Sequence, residues 1–182
     1  MARRGTLTGG TGDVKPQVLT AQTGFQSVPN AYVFSRIPLP VPRFGTQKGK
    51  ATIFEFLKVS YYFGQLNLAD AFVMEWAFIT PAVERAQGEL SDFPTWIQDV
   101  ANPKVLALAT LGGSGGTRAL RLPITIDLTD NAGNGVLVAT DSVSLVFGGS
   151  SQTAVGSVVM KLLYRQVNVG VQEYVGIVQS QL

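Results

Sequence analysis

Residues 124–181 constrain the fold most, because apolar and polar residues alternate there with a period of two and turn sequences interrupt the runs. Successive side chains of a strand point to opposite faces, so this alternation describes strands with one face buried. Ile124, Ile126 and Leu128 alternate with Thr125 and Asp127, and the run stops at residues 129–135, TDNAGNG, where Asn134-Gly135 tolerates the positive φ of a tight turn. Val136 to Phe147 is read as the next strand, with Val143, Leu145 and Phe147 on one face and Ser142 and Ser144 on the other, and Gly148-Gly149-Ser150-Ser151 should break it. Val158, Met160, Leu162 and Tyr164 share one face of a third strand, with Lys161 and Arg165 on the other. Asn168-Val169-Gly170 is expected to turn the chain, and Val171 to Gln179 to return as a fourth strand.

The rest of the chain reads the same way. Val14 to Thr23 and Ala31 to Ile37 each suit a short strand. Ala51 to Phe63 places Ile53, Leu57, Val59, Tyr61 and Phe63 on one face with Glu55, and Phe54, Phe56 and Tyr62 on the other with Lys58 and Ser60. Both faces are largely apolar, so both need cover. Ala71 to Thr80 alternates Phe72, Met74, Trp76 and Phe78, whose aromatic content favours a strand over a helix. Val105 to Leu111 adds another, closed by a glycine loop at 112–116. Between Pro38 and Gly49, three prolines remove ladder donors, which rules out a central strand and predicts an extended connector at an edge or a subunit contact. Residues 81–103 form a long acidic connection in which 94–100 makes a helical turn or two, and a loop of this length marks function or intersubunit packing. Eight or nine strands spaced by turns suit an all-β sandwich; a jelly roll is one way to close it, and periodicity alone does not choose.

At 182 residues the chain suits one domain, burying roughly 70% of the unfolded surface. The expected division is an arm over 1–12, MARRGTLTGGTG, and a domain over 13–182. With no cysteine and no histidine, disulfides, thiolate metal sites, imidazole ligands and the commonest general base are all absent, so neither cofactor nor metal is expected and a non-enzymatic role is favoured. Charged residues are 14% against a hydrophobic 46%, well under the usual quarter, so a lone subunit would be poorly protected from association and the surface suits cover by further copies of the chain. No apolar run reaches the ~20 residues of a membrane span. The net charge of +2 is unevenly spread: residues 1–50 carry seven basic side chains and one acid, Asp13, while residues 51–182 are net negative.

Several patterns fail on context. Gly112-Gly113-Ser114-Gly115-Gly116 matches G-x-S-x-G, but a serine nucleophile needs an elbow into a helix and a histidine. Arg118 and Arg121 after that loop, together with Arg3, Arg4 and Lys15, are the candidate nucleic-acid contacts. Asp127, Thr129, Asn131 and Asn134 resemble a calcium loop, yet Ala132 and Val138 occupy the positions that need Gly and Glu, so Asx-turn bonding is the simpler reading. Glu84, Glu89, Asp92 and Asp99 could supply a glycosidase-like acid pair but read better as a solvated loop. Tyr61, Tyr62, Phe63, Trp76 and Phe78 could stack bases; with Lys58 as the only interleaved base they read as core or interface.

The runs Asp127-Leu128-Thr129-Asp130, Gly135-Val136-Leu137-Val138-Ala139-Thr140-Asp141, Lys161-Leu162-Leu163-Tyr164-Arg165 and Glu173-Tyr174-Val175-Gly176-Ile177-Val178-Gln179-Ser180-Gln181 resemble, in order and spacing, the C-terminal end of capsid proteins of small circular Rep-encoding single-stranded DNA (CRESS-DNA) viruses. The resemblance covers about a third of the chain closely. It implies an eight-stranded antiparallel jelly roll and a coat protein that self-assembles, in sixty copies, into an icosahedral shell around a circular single-stranded DNA genome. A virion location follows, with assembly in the nucleus or cytoplasm of a host cell. Shell proteins of this kind often carry long arginine-rich arms; here only Arg3-Arg4 stands in that place. Pro38, Pro40, Pro42, Phe93 and Trp96 are the expected subunit contacts. The alternative is a carbohydrate- or ligand-binding sandwich with Trp76, Trp96 or tyrosines as a sugar platform.

Overall fold

The computed structural model describes residues 15–22, 32–39, 44–45, 49–63, 68–80, 95–99, 101–114, 123–152 and 158–181. They form ten strands and two helices: β1 (Gln17–Gln22), β2 (Val33–Pro38), β3 (Phe44–Gly45), β4 (Lys50–Phe63), β5 (Leu68–Ile79), α1 (Thr95–Gln98), β6 (Val105–Ser114), β7 (Ile124–Asp127), β8 (Val136–Val138), β9 (Ser142–Gln152), β10 (Val158–Gly170) and α2 (Val171–Gln181). One sheet runs β1-β10-β4-β3, with β7 and β8 paired end to end along β4; the other runs β2-β9-β5-β6. All pairings are antiparallel.

The order has a simple generator. With the two-residue β3 set aside and β7–β8 taken as one interrupted strand, the first strand pairs the last, the second the next to last, the third β7–β8, and the fourth its immediate successor β6. A long antiparallel ribbon folded this way and rolled into two facing sheets is a jelly roll, the expected fold class. The core between the sheets takes Phe54, Phe56, Val59, Tyr61, Met160, Leu162 and Tyr164 from the first, and Ile37, Trp76, Phe78, Val143, Leu145 and Phe147 from the second. Aromatic pairs cross that interface, with Phe56 stacked on Phe78 at 5.6 Å and Tyr61 and Phe63 set edge-on to Trp76 at 5.9 and 4.8 Å.

β4 departs from the expected faces through one residue. Along β10 its register skips Leu57, so Phe54 and Phe56 point into the core before the bulge and Val59 and Tyr61 after it. The bulged Leu57 carbonyl accepts the amide of Leu128 at 2.9 Å, in the gap between β7 and β8. An extra residue in one strand reverses the facing of all that follow, so strict alternation mixes the two faces of this segment.

Five further expectations are corrected. Val171 to Gln179 is helical, not a fourth strand: Tyr174, Ile177, Val178 and Gln181 recur at i, i+3, i+4 and i+7, and a short apolar run satisfies either period. Asn168-Val169-Gly170 is not a turn, since these residues pair Thr52, Ala51 and Lys50 at the end of β10. Val136 to Phe147 is two strands, because the chain leaves the first sheet at 139–141 and enters the second, where Asp141 accepts the amide of Leu39. Gly148 to Ser151 does not break β9, and Gly112 to Ser114 belongs to β6; both runs pair β5, so ladder bonds to a central neighbour hold glycine-rich backbone extended. Pro38 ends β2 at the edge of its sheet, where a missing donor is tolerated.

Both outer faces carry a helix. Ile97 of α1 is fully buried with Tyr32, Phe34, Ala77, Ile79 and Val146 on the second sheet. α2 covers Ala51, Ile53, Ala139 and Val169 on the first, through Tyr174, Ile177 and Val178.

Candidate assembly and nucleic-acid surfaces

The outer face of the β1-β10-β4-β7/β8 sheet is organised around a buried charge. Glu55 is 4% exposed; its Oε2 accepts Arg165 Nε at 2.6 Å, and its Oε1 accepts Arg165 Nη2 at 2.9 Å and the amide of Gly135 at 2.7 Å. Cross-strand pairing places Glu55 opposite Arg165, and the end of the 129–135 turn brings the amide. The guanidinium bond, joined by the Gly135 amide, holds the Glu55 carboxyl below its ordinary range against the opposing effect of burial. Gly135 has no alternative at its position: a Cβ there would lie 2.2 Å from the Phe56 carbonyl oxygen.

The turn between β7 and β8 is built from side-chain-to-backbone bonds, as the sequence predicts. Asp127 Oδ1 accepts the amide and hydroxyl of Thr129 at 3.0 and 2.7 Å, and Asp130 accepts the amides of Ala132 and Asn134, both at 2.8 Å. The Thr129 bonds lower the Asp127 carboxyl pKa, and the Asn134 side-chain amide, donating to Asp130 Oδ2 at 3.0 Å, together with these backbone amides lowers that of Asp130. Asp127 Oδ1 and both carboxylate oxygens of Asp130 thus serve the loop itself.

Beside this polar centre, α2 ends in a fastening. Gln181, 5% exposed, donates its amide to the Leu137 carbonyl at 2.6 Å and accepts the Ala139 amide at 3.1 Å, so its side chain stands in for a neighbouring strand from β8 to the residue just past it. Its own carbonyl accepts the Thr80 hydroxyl at 3.5 Å, at the end of β5 in the opposite sheet. The solvent side of α2 is nearly uncharged: Val171 and Val175 are each 45% exposed, and a Cβ on Gly176 would meet nothing.

Of the candidate nucleic-acid contacts, Lys15 lies exposed two residues before β1; Arg3, Arg4, Arg118 and Arg121 lie outside the described residues. Of the candidate subunit contacts, Pro38 is exposed at an edge. Pro40, Pro42 and Phe93 lie outside the described residues, as does the side chain of Trp96, whose backbone belongs to α1. Glu84, Glu89 and Asp92 are also outside, and Asp99 is an exposed turn acid accepting the amide of Ala101. The aromatic cluster divides. Tyr61, Trp76 and Phe78 are fully buried, which removes Trp76 as a sugar platform and all three as base platforms. Burial drives the Tyr61 phenol pKa well upward, and neither its hydroxyl nor the Trp76 Nε1 has a partner among the described residues. Tyr62 instead points outward, 37% exposed, with Lys161 Nζ 5.0 Å from its ring centroid. The sequence places Lys161 on the polar face of its own strand but not beside Tyr62, because it approaches that ring from the adjacent strand and only the register reveals it.

No protein-family model matches the chain, and no curated protein matches it in sequence. In fold it is similar to VP1 of Trichodysplasia spinulosa-associated polyomavirus, solved with sialylated glycooligomers, at a TM-score of 0.57 and 11% identity over 88% of this chain and 97% of that one. It is also similar to VP1 of Merkel cell polyomavirus, solved with disialyllactose, at a TM-score of 0.53 and 10% identity over 87% of this chain and 96% of the other. At these identities the likeness is one of fold: two antiparallel sheets arranged as in viral capsid jelly rolls.

Proposed function

We propose that this chain is the coat subunit of a small virus, assembling with copies of itself into a closed icosahedral shell of sixty copies around a circular single-stranded DNA genome. The observation that carries the reading is the first-to-last strand pairing of the jelly roll, in the arrangement of viral capsid proteins. The small share of charged residues supports it, since a sandwich left largely neutral gains by desolvating its surface against further copies. The C-terminal resemblance to capsid proteins of Rep-encoding single-stranded DNA viruses supports the genome type.

Assembly rests on neutral and apolar surfaces, among them the edge at Pro38, the valine side of α2 and the segments bearing Pro40, Pro42, Phe93 and Trp96. Arg3, Arg4 and Lys15, with Arg118 and Arg121, neutralise phosphates without reading sequence, by charge attraction and counterion release. So few basic groups make the contact weak per subunit and strong only in the assembled shell.

The test is to express the full chain without a genome and size the product by negative-stain electron microscopy and sedimentation. Uniform closed particles retaining nuclease-resistant nucleic acid, more of it at low salt, are the expected result. A monomer across salt and pH overturns self-assembly, and a glycan-binding screen then decides for the ligand-binding sandwich.

A further inference from the structure

α2 covers only half of the outer face of its sheet. Register places the residues of the other half in rows across the strands. Thr20, Lys161, Ser60 and Thr125 lie side by side on β1, β10, β4 and β7, and Val18, Leu163, Lys58 and Asp127 form the next row. Tyr62 lies beyond Ser60 on β4. Lys58, Tyr62 and Lys161 are all exposed, and the Ser60 and Thr125 hydroxyls sit 2.9 Å apart. The β4 bulge creates this grouping: past Leu57 it turns Lys58, Ser60 and Tyr62 outward together and sends Val59 and Tyr61 to the core.

We propose that this half-face is a binding surface for single-stranded DNA, with Lys58 and Lys161 on phosphates and Tyr62 stacking on a base. It rests on the shell reading and deepens it, because it names the face that would look toward the genome. Charge selects the occupant. Lys58 and Lys161 are diagonal neighbours on adjacent strands, about 7–8 Å apart, a spacing comparable with successive phosphates on an extended single strand. Asp127, the acid of this group, lies directly opposite Lys58 and offsets part of its charge, so two lysines against one acid leave the group net positive. Hydroxyls of Thr20, Ser60 and Thr125 can donate to phosphate oxygens, and a half-exposed aromatic ring on a sheet offers any base a π-face without regard to sequence. Chain order adds to the argument: Lys15 leads directly into β1 at the edge of this face, and Arg3 and Arg4 precede it.

Binding of a fluorescein-labelled oligo-dT mixed with the full chain before particles close, followed by anisotropy through a salt titration, tests the proposal. Replacing both lysines (K58Q with K161Q) is expected to reduce the slope of log K against log salt by about 1.4, the value for two phosphate contacts on a single strand. Tyr62→Ala should weaken binding roughly five-fold or more, and Tyr62→Phe should restore it. Arg3→Gln with Arg4→Gln reports the arm separately. The same preparations are sized by sedimentation, which separates the two readings. Particles whose salt slope is unchanged by the double lysine variant overturn this face and leave the shell standing; a monomer that loses the slope upholds the face and overturns the shell. Wild-type protein with no salt-dependent oligo-dT binding overturns the proposal outright, and a Tyr62→Ala loss that is equal on heparin overturns the base contact.

Discussion

At the scale of single residues, the decisive positions are those where a side chain answers to backbone from another strand. Glu55 serves Arg165 and Gly135 at once. Glu55→Gln leaves the guanidinium without its charged partner and is expected to cost about 1–3 kcal/mol, measured by urea unfolding at pH 7. Because the folded carboxyl titrates below its ordinary value of 4.5, the stability it supplies is complete above that pH and is lost as pH falls through the folded value. Unfolding free energies measured from pH 6 to pH 3 should therefore fall less steeply in Glu55→Gln than in the parent. Gly135→Ala drives a methyl group into the Phe56 carbonyl, and a loss of at least ~2 kcal/mol is expected by the same measurement. Tyr61→Phe goes the other way: removing a buried hydroxyl that lacks a partner among the described residues leaves stability unchanged or raises it by up to about 1 kcal/mol.

At the scale of elements, α2 is a short helix held by its last turn. Gln181→Ala removes the amide that completes the edge beyond β8 and should lower stability by about 1–3 kcal/mol. Gly176→Ala fills open space on the exposed side of the same helix and should raise the stability of the isolated subunit by up to about 1 kcal/mol. Thermal unfolding of the two variants beside the parent checks both signs. This helix also marks where sequence reading stops. Ile124–Asp127 and the core face of β10 were legible because one unbroken period of two matched one buried face. The same alternation through Val136 to Phe147 concealed a crossing between sheets, and in β4 it ran through a bulge that only a partner strand can define. Glycine runs in β6 and β9 read as turns because their extended state comes from neighbours, not from their own preference. The basic half-face was invisible for the same reason: its two lysines lie about a hundred residues apart in the chain and meet only through β-pairing.

At the scale of the whole molecule, the pairing of first strand with last has a consequence in time. Gln17 lies beside Tyr164 and Val33 beside Phe147, so most contacts join residues distant in sequence. Loop closure must be paid before such contacts return anything, and all-β topologies of this kind fold slowly. After dilution from denaturant, the slow phase of intrinsic fluorescence, which Trp76 reports from the core, should extend to the order of seconds. During synthesis the consequence is stricter. β1 has no partner until β10 has left the ribosome, and β10 is also the central neighbour of β4. A nascent chain therefore leaves β1 unpaired and β4 without this neighbour until β10 emerges and the two sheets can close. A chain stopped before Val158 would lack the strand that joins β1 to β4, and so would have no sandwich to contribute. Synthesis itself thus becomes a check on the fold, because only a chain that carries β10 can close its two sheets.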